Sequence, residues 1–417
     1  MTRTLIRGGC VLTMGRANHP VADVLIEDDR IAEVGPGLRA RDATVVDASD
    51  HIVMPGFVDA HQHVSDSLLR HTGSSGPVPR NFYDAADLYT ATLVGLLAAI
   101  ESGTTTVADW SPLAGSAEEL EAVLTAHEES GIRSVVVHPI GGDAGDSRRA
   151  LVQLAGRSGR RLSPAAGVEG SGVGGNGTAA WDMARQLRLP VHVHALPGGG
   201  AAALRGRGLL GAGTVLIECS SLDESDLDAI AASGASLVVT PARQMIAGLG
   251  TPPVQGLIDR GIRPGLGVAS VIETPGDLFA QMRSVISIQH AELFDRKLLG
   301  KGGVPKLLTT REVIRHATSD GAAAIGLGAH TGAIEPGMQA DLILLATDRP
   351  NIHPINDPIG AVVWGMDTSN VEWVFVAGRA VKRHGQLTAD VAWVRAAAAD
   401  ARDRLGAAVA VDSEISP

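Results

Sequence analysis

Two His-x-His pairs are the residues of this chain best suited to chemistry. The first lies in Val58-Asp-Ala-His-Gln-His-Val64 and the second in Pro190-Val-His-Val-His-Ala195. Alternate residues of a β-strand face the same side, with Cα atoms roughly 6.6 Å apart, so His61 and His63 can turn both imidazoles onto one ion. His192 and His194 repeat the arrangement. Spacing alone is a weak signal in a chain with 14 histidines, because short motifs recur by chance. The competing reading is a set of core histidines satisfied by hydrogen bonds.

Such pairs need a scaffold that ends several strands in one place. Between residues 56 and 335 a strand–loop–helix pattern repeats, and eight segments read as strands: 57–64, 104–110, 133–139, 164–170, 189–195, 214–220, 236–241 and 262–270. Ser116 and Glu119 form a capping box that opens one of the intervening helices, and Gly131 closes it. Eight parallel strands alternating with helices predict an α/β fold, a (β/α)8 TIM-type barrel. Reactive groups of such a barrel sit at the C-terminal ends of its strands. Both histidine pairs fall there, which favours the ligand reading. His194 is nearer the mouth; His192 is expected one layer deeper, as a core residue or a substrate-side contact.

Residues 1–55 and 336–388 follow a different pattern. Val24 to Val34 is two apolar runs around an acidic turn, and the stretches 340–345 and 371–381 are again strand-like. These flanks are predicted to join as one small β-sandwich domain built from both chain ends. The remaining residues, 389–417, are predicted to form a C-terminal helix and tail.

Composition narrows the partners. Apolar residues make up 45% of the chain and charged residues 19%, with a formal net charge of −11. That balance supplies a sizeable core and argues against nucleic acid or an anionic membrane as partner. A small-molecule substrate is the expectation, and a homo-oligomer is compatible with it. The two cysteines, Cys10 and Cys219, suit a reducing compartment. No apolar leader or membrane-length run is evident, so a cytoplasmic enzyme is expected.

Three segments carry a family likeness. Met54-Pro-Gly-Phe-Val-Asp-Ala-His-Gln-His63 resembles the first-strand signature of the amidohydrolase superfamily. Glu335-Pro-Gly-Met-Gln-Ala-Asp-Leu-Ile-Leu344 resembles the return of that family's chain to its small β domain. Ala317-Thr-Ser-Asp-Gly-Ala-Ala-Ala-Ile-Gly-Leu327 is similar to the helix just before it. The likeness covers essentially the whole chain and is closest to the branch of cytosine and guanine deaminases and triazine hydrolases.

The resemblance implies one divalent metal, zinc before iron, with His61, His63 and His194 as ligands. It also exposes departures. Glu218 stands where the family has a strand-six His, Ala269 where it has a strand-eight Asp, and Pro197 where the deaminases have a Glu. In the family that Asp takes a proton from the attacking water and that Glu delivers one to a ring nitrogen. Alanine and proline do neither, so deamination by the family route is not expected. Glu218 offers a replacement in two ways. It can be a fourth ligand at about 2.0–2.2 Å, or a general base beside a three-histidine site. A plain pairing with a nearby cation or His is the third option. Cys219, its neighbour, is expected to pack toward the helices.

Asp109, His138 and Glu169 close the second, third and fourth strands and are candidate substrate contacts or general acids, with capping or loop roles as the alternative. Arg243 follows the seventh strand and can hold a carboxylate or carbonyl, or stand solvated at the surface. The leading function is metal-dependent hydrolysis of a C–N or related bond in a small cyclic substrate, with Glu218 and His194 as catalytic residues. The alternatives are a lyase, dehydratase or isomerase, metal-free, using Glu218 and His194 as base and acid, and a non-catalytic binding protein.

Overall fold

Short alternating runs at the two ends of the chain build one sheet, and more continuous apolar runs in the middle build another. The computed structural model describes residues 2–15, 18–72, 82–112, 115–141, 143–170, 177–195 and 198–415. The first sheet begins with β1 (Arg3–Val11), β2 (His19–Glu27), β3 (Arg30–Gly35), β4 (Thr44–Asp47) and β5 (His51–Pro55). The barrel strands follow: β6 (Phe57–Gln62), β7 (Thr104–Trp110), β8 (Arg133–Pro139), β9 (Leu162–Glu169), β10 (Val191–His194), β11 (Thr214–Ile217), β12 (Ser236–Val239) and β13 (Gly265–Leu266). The chain then returns to the first sheet with β14 (Leu342–Ala346), β15 (Val371–Val376), β16 (Arg379–Arg383) and β17 (Gln386–Leu387).

That first sheet has the order β17-β16-β15-β14-β5-β1-β2-β3, with β4 on β1. The two ends of the chain meet where β5 pairs antiparallel with β14, Met54 opposite Ile343. Ile6, Val24, Val53, Leu342, Leu344 and Phe375, drawn from both ends, share one core cluster. The hairpin read from sequence is β2–β3, turning between Glu27 and Arg30.

The barrel strands are parallel and in sequence order. Every residue of β6 and β7 is buried, as expected where side chains fill one face and helices cover the other. Val135, Val137, Ala165, Val215, Ile217 and Val238 form the interior cluster with Trp110. Outside, the helix Ala117–Ser130 starts at the Ser116/Glu119 capping box and ends at Gly131 in the left-handed region. Arg133 at the start of β8 ties the barrel to the other sheet. Its Nε donates to Asp341 Oδ2 at 2.7 Å, and Asp341 Oδ1 also accepts from the Ala377 N–H at 2.7 Å. This buried ion pair gives the Asp of the Gln339-Ala-Asp-Leu segment its structural work.

The eighth strand departs from expectation. Its ladder covers Gly265–Leu266 only, because Val268 N–H turns to Asp59 Oδ1 (3.0 Å) and Ala269 leaves the extended region at φ 61°. Closure of the barrel passes instead through Ala269, whose N–H donates to His61 O (2.9 Å) and whose carbonyl accepts from His63 N–H (2.6 Å). Gly267 permits this approach: a Cβ there would lie 2.6 Å from His61 O. Backbone cannot yield as a side-chain tip can, so Gly267→Ala is expected to cost about 1–3 kcal/mol or more and to weaken metal uptake with it. Denaturant titration beside a metal-binding isotherm checks this; an unchanged midpoint and isotherm would contradict it. Among the described residues no helix is long and apolar enough to cross a membrane.

Candidate metal centre

β6 delivers His61 within the strand and His63 just past its end, while β10 ends on His194, in register with Glu169 of β9 and Ile217 of β11. The three rings converge. Their centroids are 5.0 Å (His61–His63), 5.2 Å (His61–His194) and 5.4 Å (His63–His194) apart. One ligand nitrogen from each lies within 4.8 Å of the others. His61 is buried and its Nε2 has no hydrogen-bond partner among the described residues. An orphaned nitrogen facing two more imidazoles is what a single divalent cation would satisfy. Burial, then the neighbouring histidines, holds His61 well below the ordinary imidazole range, and burial also lowers His63. Both are therefore neutral near pH 7, the form that ligates metal.

His194 differs because two carboxylates grip it. Its Nδ1 lies 3.2 Å from Glu169 Oε2 and its Nε2 3.1 Å from Glu218 Oε2. Burial works against its charge, but the bonds to Glu169 and Glu218 outweigh it and raise the pKa to about 9. Burial likewise works to raise Glu218; the bonds from His194 and from Thr240 Oγ1 (2.7 Å) outweigh it and hold the carboxyl below its usual range. The rim that presents these groups is bent: Ala195, Glu218 and Ala269 all sit in the left-handed region, at φ 53°, 56° and 61°. Strain of this kind in non-glycine residues gathers at functional sites.

A metal at this cluster must displace the proton that His194 holds. Its apparent affinity is therefore expected to rise from neutral pH toward about 9, where His194 loses that proton, and to level off above. Calorimetric titration in buffers of different ionisation heats would show proton release on binding. Affinity independent of pH, with no proton released, would contradict this arrangement.

The other candidates scatter. Glu169 stands at the site with its side chain 54% exposed. His192 lies beneath, fully buried, with neither ring nitrogen bonded among the described residues; burial brings its pKa down to about 4. Asp109 does not reach the mouth. Its Oδ2 bonds His127 Nε2 (2.9 Å) on an outer helix and its Oδ1 accepts the Val64 N–H (3.1 Å), so it braces the backbone that follows His63. His138 shares a strand face with Val136, which packs against the outer helices, and so does not join the three histidines. Arg243 is ion-paired to Glu273 at 2.6 Å rather than solvated. Cys219 packs in the layer between barrel and helices. Pro197 lies outside the described residues.

One carboxylate escaped the sequence reading. Asp66 accepts from Ser270 Oγ at 2.5 Å, beside the Ala269 position where the family has an acid. Burial raises its pKa while His63 and Ser270 oppose the rise. It lies in the helical turn Val64–Leu69 beyond β6, where strand periodicity carries no information.

The model of the amidohydrolase family matches residues 52–381. The chain belongs to the amidohydrolase family. Among curated relatives of this amidohydrolase, a 5'-deoxyadenosine deaminase of Methanothermobacter thermautotrophicus is 29% identical over 420 residues, covering 92% of this chain and 94% of the relative. A 5-methylthioadenosine/S-adenosylhomocysteine deaminase of Pelotomaculum thermopropionicum is 27% identical, covering 93% and 95%. Among solved structures, an adenosine deaminase from Xanthomonas campestris with bound zinc superposes with a TM-score of 0.86 at 20% identity, covering 97% of this chain and 99% of that one. A triazine hydrolase from Arthobacter aurescens gives 0.84 at 20% identity, covering 96% and 100%.

Proposed function

We propose that this amidohydrolase hydrolyses a C–N bond of a small, amino-substituted nitrogen heterocycle, with zinc held by His61, His63 and His194 and with Glu218 as proton acceptor. The observation that carries the reading is Glu218 itself, an anchored carboxylate 3.1 Å from the ligand nitrogen of His194 and bonded by Thr240. Zinc in such a nest supplies Lewis-acid chemistry and makes water acidic enough to lose a proton near neutral pH. The zinc-bearing neighbour in the fold comparison supports that choice of metal.

The chain's own residues divide the remaining work. Glu218, held by the Thr240 hydroxyl and beside the cation site, takes the proton of the attacking water as its oxygen bonds to the ring carbon and the C=N π pair moves onto the ring nitrogen. The same carboxyl then gives that proton to the exocyclic nitrogen as its C–N bond breaks and the ring-nitrogen pair re-forms the C=N bond, so that ammonia or amine leaves. Glu169, bonded to His194 Nδ1, orients the imidazole so that Nε2 faces the site. Asp109 holds the Val64 N–H and so fixes the backbone from which His63 projects. Ala269 supplies no acid, which is why the load falls on Glu218.

The names of the curated relatives make aminopurine nucleosides the first compounds to try, with amino-triazines second. Turnover in heavy-oxygen water tests the reaction class. Hydrolysis puts one solvent oxygen into the ring product and releases ammonia or amine in equal amount. A product free of solvent oxygen would support a lyase or isomerase instead.

A further inference from the structure

Arg70 is the residue that the proposed chemistry leaves unexplained. It follows the helical turn Val64–Leu69 and is half-buried, with its Nε buried and unbonded among the described residues. No ion pair to it exists among the described residues, and burial alone pulls its pKa down. Stretch 73–81, which follows it, contains no Asp or Glu. A charged guanidinium half-buried with no carboxylate against it is well placed to take an anionic partner from the cleft. Its solitude is the more telling in a chain of net charge −11.

Arg70 lines a cleft of about 620 Å³ between that turn, the helix Ala85–Glu101 and the helix Val391–Ile415. The volume falls within the range of small-molecule sites, roughly 300–1,000 Å³. Arg395 and Arg402 also line it, and so do apolar Leu97, Leu387 and Val394. Among the described residues the only acid in the lining is Glu101, and Lys382 already neutralises it with a 2.9 Å ion pair. Arg402 is bonded to Asp403, whereas Arg395 makes no ion pair among the described residues. An apolar trough with uncompensated positive charge fits one ligand chemistry.

We infer that this cleft is a binding site for a small amphipathic anion, a carboxylate on an aliphatic or aromatic body, with Arg70 as its anchor. The carboxylate meets Arg70 and Arg395 in charge-assisted hydrogen bonds, and the apolar body lies along Leu97, Leu387 and Val394. The site is separate from the three histidines and does not depend on the reaction proposed for them.

Octanoate, titrated calorimetrically into the full-length protein, is the probe. Saturable binding to one site per chain is expected, weakened about tenfold or more in Arg70→Gln, as loss of a charged hydrogen bond implies. Octanol, with the same chain and no charge, should bind weaker than octanoate by a similar factor. Arg395→Glu alters an exposed position, leaves the fold intact and should also weaken octanoate, so the inference stays testable if Arg70→Gln melts early. Binding should persist in His63→Ala, which separates this cleft from a carboxylate lodging on the metal. Octanoate binding that ignores both arginine variants, that vanishes in His63→Ala or that is matched by octanol would overturn the inference, as would no saturable binding at all.

Discussion

Glu218→Gln lowers kcat about a hundred- to ten-thousandfold and leaves zinc bound, because the amide keeps the shape of the carboxylate and loses its basicity. The amide oxygen can still accept from Thr240 Oγ1, and the three imidazoles that converge on the ion are untouched. The loss should fall on kcat more than on KM, since Glu218 acts on the proton of the attacking water rather than on the resting substrate. Zinc affinity at neutral pH should hold or rise slightly, because one of the two carboxylates that favour the protonated form of His194 is gone. Steady-state kinetics paired with metal analysis of the same preparation gives both answers. Undiminished turnover would move the proton acceptor elsewhere, and Asp66 would then be the residue to replace.

His63→Ala is expected to abolish both metal binding and turnover. Three nitrogens define the centre, and removing a hydrogen-bond partner of a ligand already costs 10–100-fold in affinity, so removing a ligand outright should cost more than about a hundredfold. The fold should survive, because the contribution of residue 63 to barrel closure is its backbone N–H on Ala269 O, which alanine keeps. Equilibrium dialysis with zinc beside a thermal melt separates the two. A variant that melts normally and still binds zinc with unchanged affinity would remove His63 from the ligand set.

The barrel and its histidines were legible because both rest on period-two repetition. His61, His63 and His194 point inward for the reason that any alternate residues of a buried strand do, and the burial of β6 and β7 follows from their composition. Legibility fails at the rim. Strand reading extends β11 to residue 220 and β13 to 270, but β11 stops at Ile217, just before Glu218 turns left-handed, and β13 stops at Leu266, before Val268 turns to Asp59 and Ala269 turns left-handed. The turn at Ala269 accompanies the closure of the barrel onto β6 beside Gly267, a long-range contact with no local pattern. Asp109 was misplaced for a related reason: it shares a strand with Trp110, so if one faces the interior the other faces the helices, where His127 awaits it. Thr240 and Asp66, each bonded across the rim, lie just outside strands and carry no periodic signal.

His61, His63 and His194 would hold one catalytic zinc ion with Glu218 beside it. A crystal of the zinc-loaded protein, measured on both sides of the zinc absorption edge, tests it most directly. One anomalous peak is expected at about 2.0–2.1 Å from a nitrogen of each of the three histidines, with a Glu218 oxygen adjoining. A zinc-loaded protein with no peak among the three rings, or with its peak elsewhere on the chain, would contradict it.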